Sequence, residues 1–316
     1  MDTQGVTLET LPMELSFDFL KKITNGFSED LLLGSGTFGS VYKGTLDDGG
    51  VVAVKKLMEN SPVPHDKIFE YEVQNVMVLK HENIVKMVAY CREPQSRLVE
   101  SNGRQIVEEI TQTLLCYEYF SKGSLHQNLF GESSSINWDK RFKIIKGICE
   151  GIQFLHTLPH PVLHLGLKLQ NILLDDNMAP KISDFGFSRI FGQEQTRMNT
   201  RSVVGSVGYM APEYLYNGEI STRSDIYSLG LIIMEISTGE KNSSSIDQKH
   251  ARKYIDGIKQ NWPLDQIMSE YTELEEHGCE QIEACIKIGL RCVEIDARKR
   301  PSIEEIVNML NKLPMN

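Results

Sequence analysis

The chain has no apolar run approaching the ~20 residues that a membrane-crossing helix requires, so direct bilayer insertion is not expected. Basic charge is in the minority: 33 Lys and Arg stand against 43 Asp and Glu, a formal charge of −10. That bulk balance offers nothing to polyanionic nucleic acid or to an anionic membrane face. The basic and then apolar start of a secretory leader is lacking, because Met1 is followed by Asp2, Thr3, Gln4 and Gly5. Position 2 is not the glycine that myristoylation needs, and no cysteine precedes Cys91. Cytoplasmic residence is the expectation, with the plasma membrane reached only through a partner. The six cysteines show no CxxC spacing, so reduced, buried thiols are expected in place of disulfides or zinc ligands. No internal repeat is visible.

What is present suits a globular protein of about two domains or one two-lobed domain, at ~150 residues per domain. A leading segment, residues 1–26, carries Leu15, Phe17, Phe19, Leu20 and Ile23 at partly helical spacing, which predicts a helix docked on the domain. From Leu31 to Tyr119 short β-like runs dominate: 31–33, 41–42, 51–54, 84–90 and 114–119, with one helical stretch over 67–79. Beyond Gly123 the period turns helical. Trp138, Phe142, Ile145, Cys149, Ile152 and Leu155 share one face, as do Ile226, Leu229, Ile233 and Ile236. Gly239 is placed to cap the second of these helices, and Ser302 with Glu305 forms a capping box.

Residues 33–41, Leu-Gly-Ser-Gly-Thr-Phe-Gly-Ser-Val, form a GxGxxGxV loop. Its glycines let backbone N–H groups approach phosphate without a Cβ clash. A dinucleotide-binding fold would continue straight into a helix, but here Val52-Ala53-Val54-Lys55 follows, so the glycines sit in a hairpin. Lys55 taken alone is equally a solvent-facing strand residue. Glu72, in the helical stretch, can pair with it and hold its ammonium toward the α- and β-phosphates of ATP. Asn171 and Asp184-Phe185-Gly186 add an amide oxygen and a carboxylate, the hard ligands that Mg²⁺ prefers. Ala211-Pro212-Glu213 closes the segment.

Loop, strand lysine, helix glutamate, Asn, Asp-Phe-Gly and Ala-Pro-Glu in this order resemble the eukaryotic protein kinase family. Within it the chain is similar to plant receptor-like and receptor-like cytoplasmic Ser/Thr kinases. Further signs are Phe27-Ser28, His81-Glu82-Asn83-Ile84-Val85, Tyr117-Glu118-Tyr119 and Gly208-Tyr209-Met210. The resemblance implies an α+β, bilobal protein-kinase-like fold over 27–313, with a β-rich N-lobe (27–120) and a helical C-lobe (121–313). It implies ATP and Mg²⁺ as cofactors: Leu33, Gly34, Ser35, Gly36, Thr37, Phe38, Gly39 and Val41 with Ala53 above the nucleotide, Leu173 below it, Glu118 to Phe120 as hinge, and Tyr117 guarding the back of the pocket. It also implies Asn171 and Asp184 as metal ligands, catalytic roles for Lys55, Glu72, Lys168, Asn171 and Asp184, Asp225 as anchor of the catalytic loop, and a Glu213–Arg300 pair. Receptor kinases and Ser/Thr substrates are the implied partners.

Two positions of the catalytic loop and one segment depart from that pattern. The family's catalytic loop reads H-R-D-x-x-x-x-N, and here it is His164-Leu165-Gly166-Leu167-Lys168-Leu169-Gln170-Asn171. Gly166 replaces the aspartate that accepts and orients the substrate hydroxyl, a role worth roughly 10² to 10⁴-fold in rate. Leu165 removes the arginine that pairs with a phosphorylated activation loop. Thr196, Thr200, Ser202 and Ser206 are candidate phosphosites or plain polar loop residues. Residues 92–113 form an added segment, read as a longer hairpin or as a partner surface. Three functions stay open: an ATP-binding, catalytically impaired scaffold or decoy; a working Ser/Thr kinase using water- or substrate-assisted deprotonation; and a nucleotide-free interaction module.

Overall fold

The computed structural model describes residues 7–59, 64–101, 104–131, 136–191, 197–200, 203–242, 248–272 and 274–314. Asp2 to Gly5, Thr196 and Ser202 lie outside them. The chain divides into two compact units, residues 1–80 with 85–119, and residues 81–84 with 120–316.

The first unit is built on a five-stranded antiparallel sheet. Its strands are β1 (Leu32–Gly36), β2 (Gly39–Thr45), β3 (Val51–Leu57), β4 (Met87–Ser101) and β5 (Arg104–Glu118), in the order β1-β2-β3-β5-β4. Alternation sorts the side chains onto two faces. Val52 and Val54 point to one face, where α1 (Phe17–Ile23) lays Phe19, Leu20 and Ile23 on them together with Leu46, Leu114 and Cys116. The leading segment is thus part of this core. Ser16 caps α1 by accepting from the Phe19 amide, which satisfies one of the amides left open by the first turn. Leu15 and Tyr90 share a 2.8 Å backbone bond, and the Tyr90 amide donates back to Met13, so the segment also covers part of the free edge of β4.

Residues 92–101 and 104–113 continue β4 and β5 as a pair, in unbroken register from Arg92↔Thr113 to Ser101↔Arg104. The expected helix at 67–79 is α2, His65–Val76; it starts two residues earlier, where the Pro64 carbonyl accepts the Lys67 and Ile68 amides, and ends three residues sooner. The expected strand at 84–90 starts only at Met87, since Ile84 is engaged in a bridge to Ile182.

The second unit is mainly helical. Its helices are α3 (Leu125–Phe130), α4 (Trp138–Thr157), α5 (Pro212–Asn217), α6 (Thr222–Thr238), α7 (Gln248–Asn261), α8 (Leu264–Glu270), α9 (Glu276–Cys292) and α10 (Ile303–Asn311). Short strands β6 (Val162–Leu163), β7 (Ile172–Leu174), β8 (Pro180–Ile182), β9 (Arg189–Ile190), β10 (Met198–Asn199) and β11 (Glu219–Ile220) pair as β6 with β9, β7 with β8 and β10 with β11. The sequence predicts one apolar face on α6, yet every residue from Ser224 to Thr238 is buried, the mark of a central core helix. It meets α9 where two glycines cross: a Cβ on Gly230 would lie 2.5 Å from the Cβ of Cys292. Gly239 ends α6 at φ +71°, and Ser302 with Glu305 completes the capping box of α10. The six cysteines are buried free thiols. No helix among the described residues is long and apolar enough to cross a membrane.

Candidate functional site

In the first unit the glycine loop is the tight turn between β1 and β2, with Gly36 opposite Gly39, Ser35 opposite Ser40 and Gly34 opposite Val41. Gly39 is required by the fold itself, because a Cβ there would lie 2.2 Å from the Lys56 carbonyl oxygen. Beside Gly34 and Gly36 the space is open, so the protein's own packing does not demand glycine at either. A ligand brought close to that backbone would demand it. Leu33 is exposed, whereas Phe38, in the turn beside Thr37, is buried. The Phe38 ring stands 5.8 Å from the Lys55 ammonium.

Val41 faces Lys55 across the β2/β3 pair, and Ala53 faces Tyr117 across β3/β5. Directly opposed residues of an antiparallel pair share a face, so Val41, Ala53, Lys55 and Tyr117 all lie opposite the α1-covered side. Lys55 is nearly fully buried, and its ammonium meets Glu72 of α2 at 2.5 Å; the Glu72 carboxylate is fully buried. A buried ion pair of this kind persists only when its remaining valences are met. The second Glu72 oxygen accepts from the Tyr117 hydroxyl, a contact that the spacing of the sequence does not announce. Glu118 closes β5 by accepting the Lys86 amide on its carboxylate at 2.7 Å.

In the second unit the loop 164–171 hangs from α6. Asp225, buried, accepts the amides of His164 and Leu165 at 2.8 Å each and the His156 ring at 3.0 Å. These bonds hold Leu165 at φ +57°, a left-handed conformation that a branched side chain adopts only under such constraint. His164 Nδ1 accepts from the Gly166 amide and Nε2 faces the Ser183 carbonyl at 3.0 Å. That pattern needs the neutral tautomer protonated on Nε2. Burial, above all, pushes the imidazole below its ordinary pKa, against Asp225, the Ser183 carbonyl and Asp184.

Asn171 donates to the Gly166 carbonyl at 2.8 Å and to Asp184 at 3.3 Å. Its amide oxygen takes no part in these bonds. Asn171 and Asp184 therefore stand together as two hard oxygen donors, a set that fits Mg²⁺ completed by water and phosphate oxygens. Lys168 is half-buried and opens the turn that carries Asn171. Leu173 lies on β7, bridged to Ser124, and the Phe120 ring stands beside Lys181.

At the remaining position of the loop there is no side chain. Gly166 is buried, and a Cβ on it would meet the Phe187 ring at 3.0 Å and the His164 ring at 3.5 Å. Next to the loop, a Cβ on Gly205 would lie 3.2 Å from the Leu165 carbonyl oxygen. The hydroxyl of the following residue, Ser206, is buried and has no partner among the described residues. Farther along, Arg300 grips Glu213 with two bonds of 2.7 Å, its side chain fully buried. Phe187, His156 and the Tyr117 hydroxyl carry no sequence signal, because each acts through a tertiary contact and not through spacing.

Residues 27–310 match a family described as protein kinase domain. Among curated proteins of Arabidopsis thaliana, the chain is 37% identical over 316 residues to cysteine-rich receptor-like protein kinase 25, covering 98% of this chain and 44% of that one. It is 36% identical over 307 residues to cysteine-rich receptor-like protein kinase 44, covering 95% and 76%. Receptor-like serine/threonine-protein kinase SD1-7 is 38% identical over 315 residues, covering 95% and 34%. The chain therefore spans less than half the length of the first and third of these relatives.

Proposed function

Because this chain belongs to the protein kinase family, we propose that it is a Ser/Thr-kinase-type signalling domain that binds Mg²⁺-ATP but is impaired in phosphoryl transfer. The observation that carries the proposal is the bare Gly166 in an otherwise ordered loop: Asn171 holds its carbonyl, His164 its amide, and no carboxylate projects from it. In this reading the glycine-loop amides and Lys55, braced by Glu72, take the phosphates. Asn171 and Asp184 hold the magnesium ion, which supplies charge neutralisation when bound. Lys168 adds charge near the transferring group. Nothing at position 166 orients a substrate hydroxyl or accepts its proton, and the expected loss is roughly 10² to 10⁴-fold in rate, about 3 to 5 kcal/mol of barrier. Engagement of other kinases, as scaffold or decoy, is the role we assign to such a domain, and recruitment to the plasma membrane through a receptor-like partner belongs to the same proposal.

A second reading is an active kinase that transfers phosphate without this base. The intact Lys55–Glu72 pair favours it, because a largely dissociative transition state depends mostly on positioning and charge. Thermal unfolding with and without Mg²⁺-ATP, run beside a phosphate-transfer assay, tests both. The impaired reading expects stabilisation of about 2.7 kcal/mol at a hundredfold excess over Kd with transfer at the level of Lys55→Ala. Stabilisation with transfer well above that level selects the second reading, and no stabilisation removes both.

A further inference from the structure

Lys56 follows Lys55 in β3 and so projects to the opposite face of the sheet, the side covered by α1. Val52 and Val54 on that side are sealed by the α1 core, but at Lys56 the cover ends. The ammonium there lies 4.6 Å from the centroid of the Phe27 ring and 5.8 Å from that of Phe17. Phe27 in turn meets Tyr42 edge-on at 5.6 Å. The rings hold the cation by their negative faces, yet among the described residues no carboxylate forms an ion pair with it. Burial lowers the Lys56 pKa, with Lys21 adding to the effect and Glu59 opposing it, as expected for a partly desolvated ammonium short of an anion.

Beside this ammonium opens a cavity of about 420 Å³, within the size range of small-molecule sites. Tyr42 and Met58 give it apolar walls, and Ser40 and Gln112 line it with Lys56 as polar groups. Glu59 is the acidic group on its rim. That charge is already engaged, because Arg97 from the long hairpin meets Glu59 at 3.3 Å and Glu108 at 2.9 Å. The hairpin thereby serves as one wall. Ser40 also reaches the glycine loop, its hydroxyl 2.9 Å from that of Ser35.

We propose that this cavity is a second ligand site, on the sheet face opposite Lys55, which takes a small organic anion: a phosphate or carboxylate head against Lys56, Gln112 and the Ser40 hydroxyl, on a compact apolar body against Tyr42 and Met58. Of these residues only Ser40 belongs to the glycine loop, and the proposal uses its hydroxyl and not its amide, so it does not depend on nucleotide binding.

The test follows the methyl resonance of Met58 in protein carrying ¹³C-methyl methionine, titrated with phenyl phosphate and, in a separate arm, with benzoate. The expected result is a saturable shift of Met58 with at least one probe, the responding probe identifying the head group. Lys56→Met, which keeps the stem on the rings and removes the charge, should weaken that response at least tenfold. Gln112→Leu should weaken it several-fold and stands in if Lys56→Met fails to fold. No Met58 shift with either probe, or an undiminished shift in the Lys56 or Gln112 variant, would overturn the proposal.

Discussion

The ring of Phe187 lies 3.0 Å from the point at which a Cβ on Gly166 would project. The residue after Asp-Phe-Gly therefore crowds the Cβ of any side chain placed at 166, and its ring must give by a few tenths of an ångström. A buried, packed ring yields only by moving its neighbours. Gly166→Asp alone is expected to gain phosphate transfer incompletely, and Gly166→Asp with Phe187→Leu to gain several-fold more. Single-turnover transfer rates of the two variants check this; equal rates would show that Phe187 gives way freely.

The Lys55–Glu72–Tyr117 chain is buried in the first unit, so breaking it is costly. Lys55→Met strands a fully buried carboxylate and should cost about 3 to 5 kcal/mol. Tyr117→Phe leaves the ion pair intact and removes one charge-assisted hydrogen bond, at about 1.5 to 3 kcal/mol. Urea denaturation of the two variants separates them, and the order of the losses is the prediction.

Glu235 gives the second unit a pH dependence. Burial raises its carboxyl to about 7, against its bonds from the Tyr209 hydroxyl and the Asn242 amide and the charge of Lys241. A carboxyl that holds its proton more tightly when folded adds stability that is full below its unfolded pKa near 4.5 and is lost as pH rises through about 7. Glu235→Gln keeps an acceptor and cannot titrate. The variant should be the less pH-sensitive protein between pH 4.5 and 7, by a few kcal/mol, in paired melting curves; parallel curves would contradict it.

Arg300 is the other buried charge whose loss is predictable. Its two 2.7 Å bonds to Glu213 are joined by others to the Glu294 and Arg223 carbonyls. Arg300→Lys cannot reproduce the planar fork and should destabilise by about 3 kcal/mol, the lower range for breaking a buried pair. Chemical unfolding reads the change directly.

Much of this arrangement was legible in the residues. The glycine loop followed by strand residues called for a hairpin, and Lys55 with Glu72 called for a pair; the structure contains both. The switch from a two-residue to a three-to-four-residue period marked the change from sheet to helix near Gly123, because burial on one face imposes those periods. What stayed hidden depends on packing between distant segments. Nothing local to Phe187 signals that it abuts Gly166. Lys56 reads as a solvated strand residue until Phe17 and Phe27 are placed around it. The all-round burial of α6 is hidden for the same reason: a polar residue such as Glu235 looks like part of an exposed face until its partners, Tyr209 and Asn242, are placed. The sequence allows the 92–113 segment to be a longer hairpin or a partner surface; the pairing of 92–101 with 104–113 bears on the first alone.

The central claim is that Gly166 leaves a nucleotide-binding domain without its base. Labelled-phosphate transfer from Mg²⁺-ATP to the protein itself and to a generic Ser/Thr substrate tests it most directly, comparing wild type, Gly166→Asp and Lys55→Ala. The account predicts wild type at the Lys55→Ala background and a gain for Gly166→Asp. Wild-type transfer well above Lys55→Ala would contradict it.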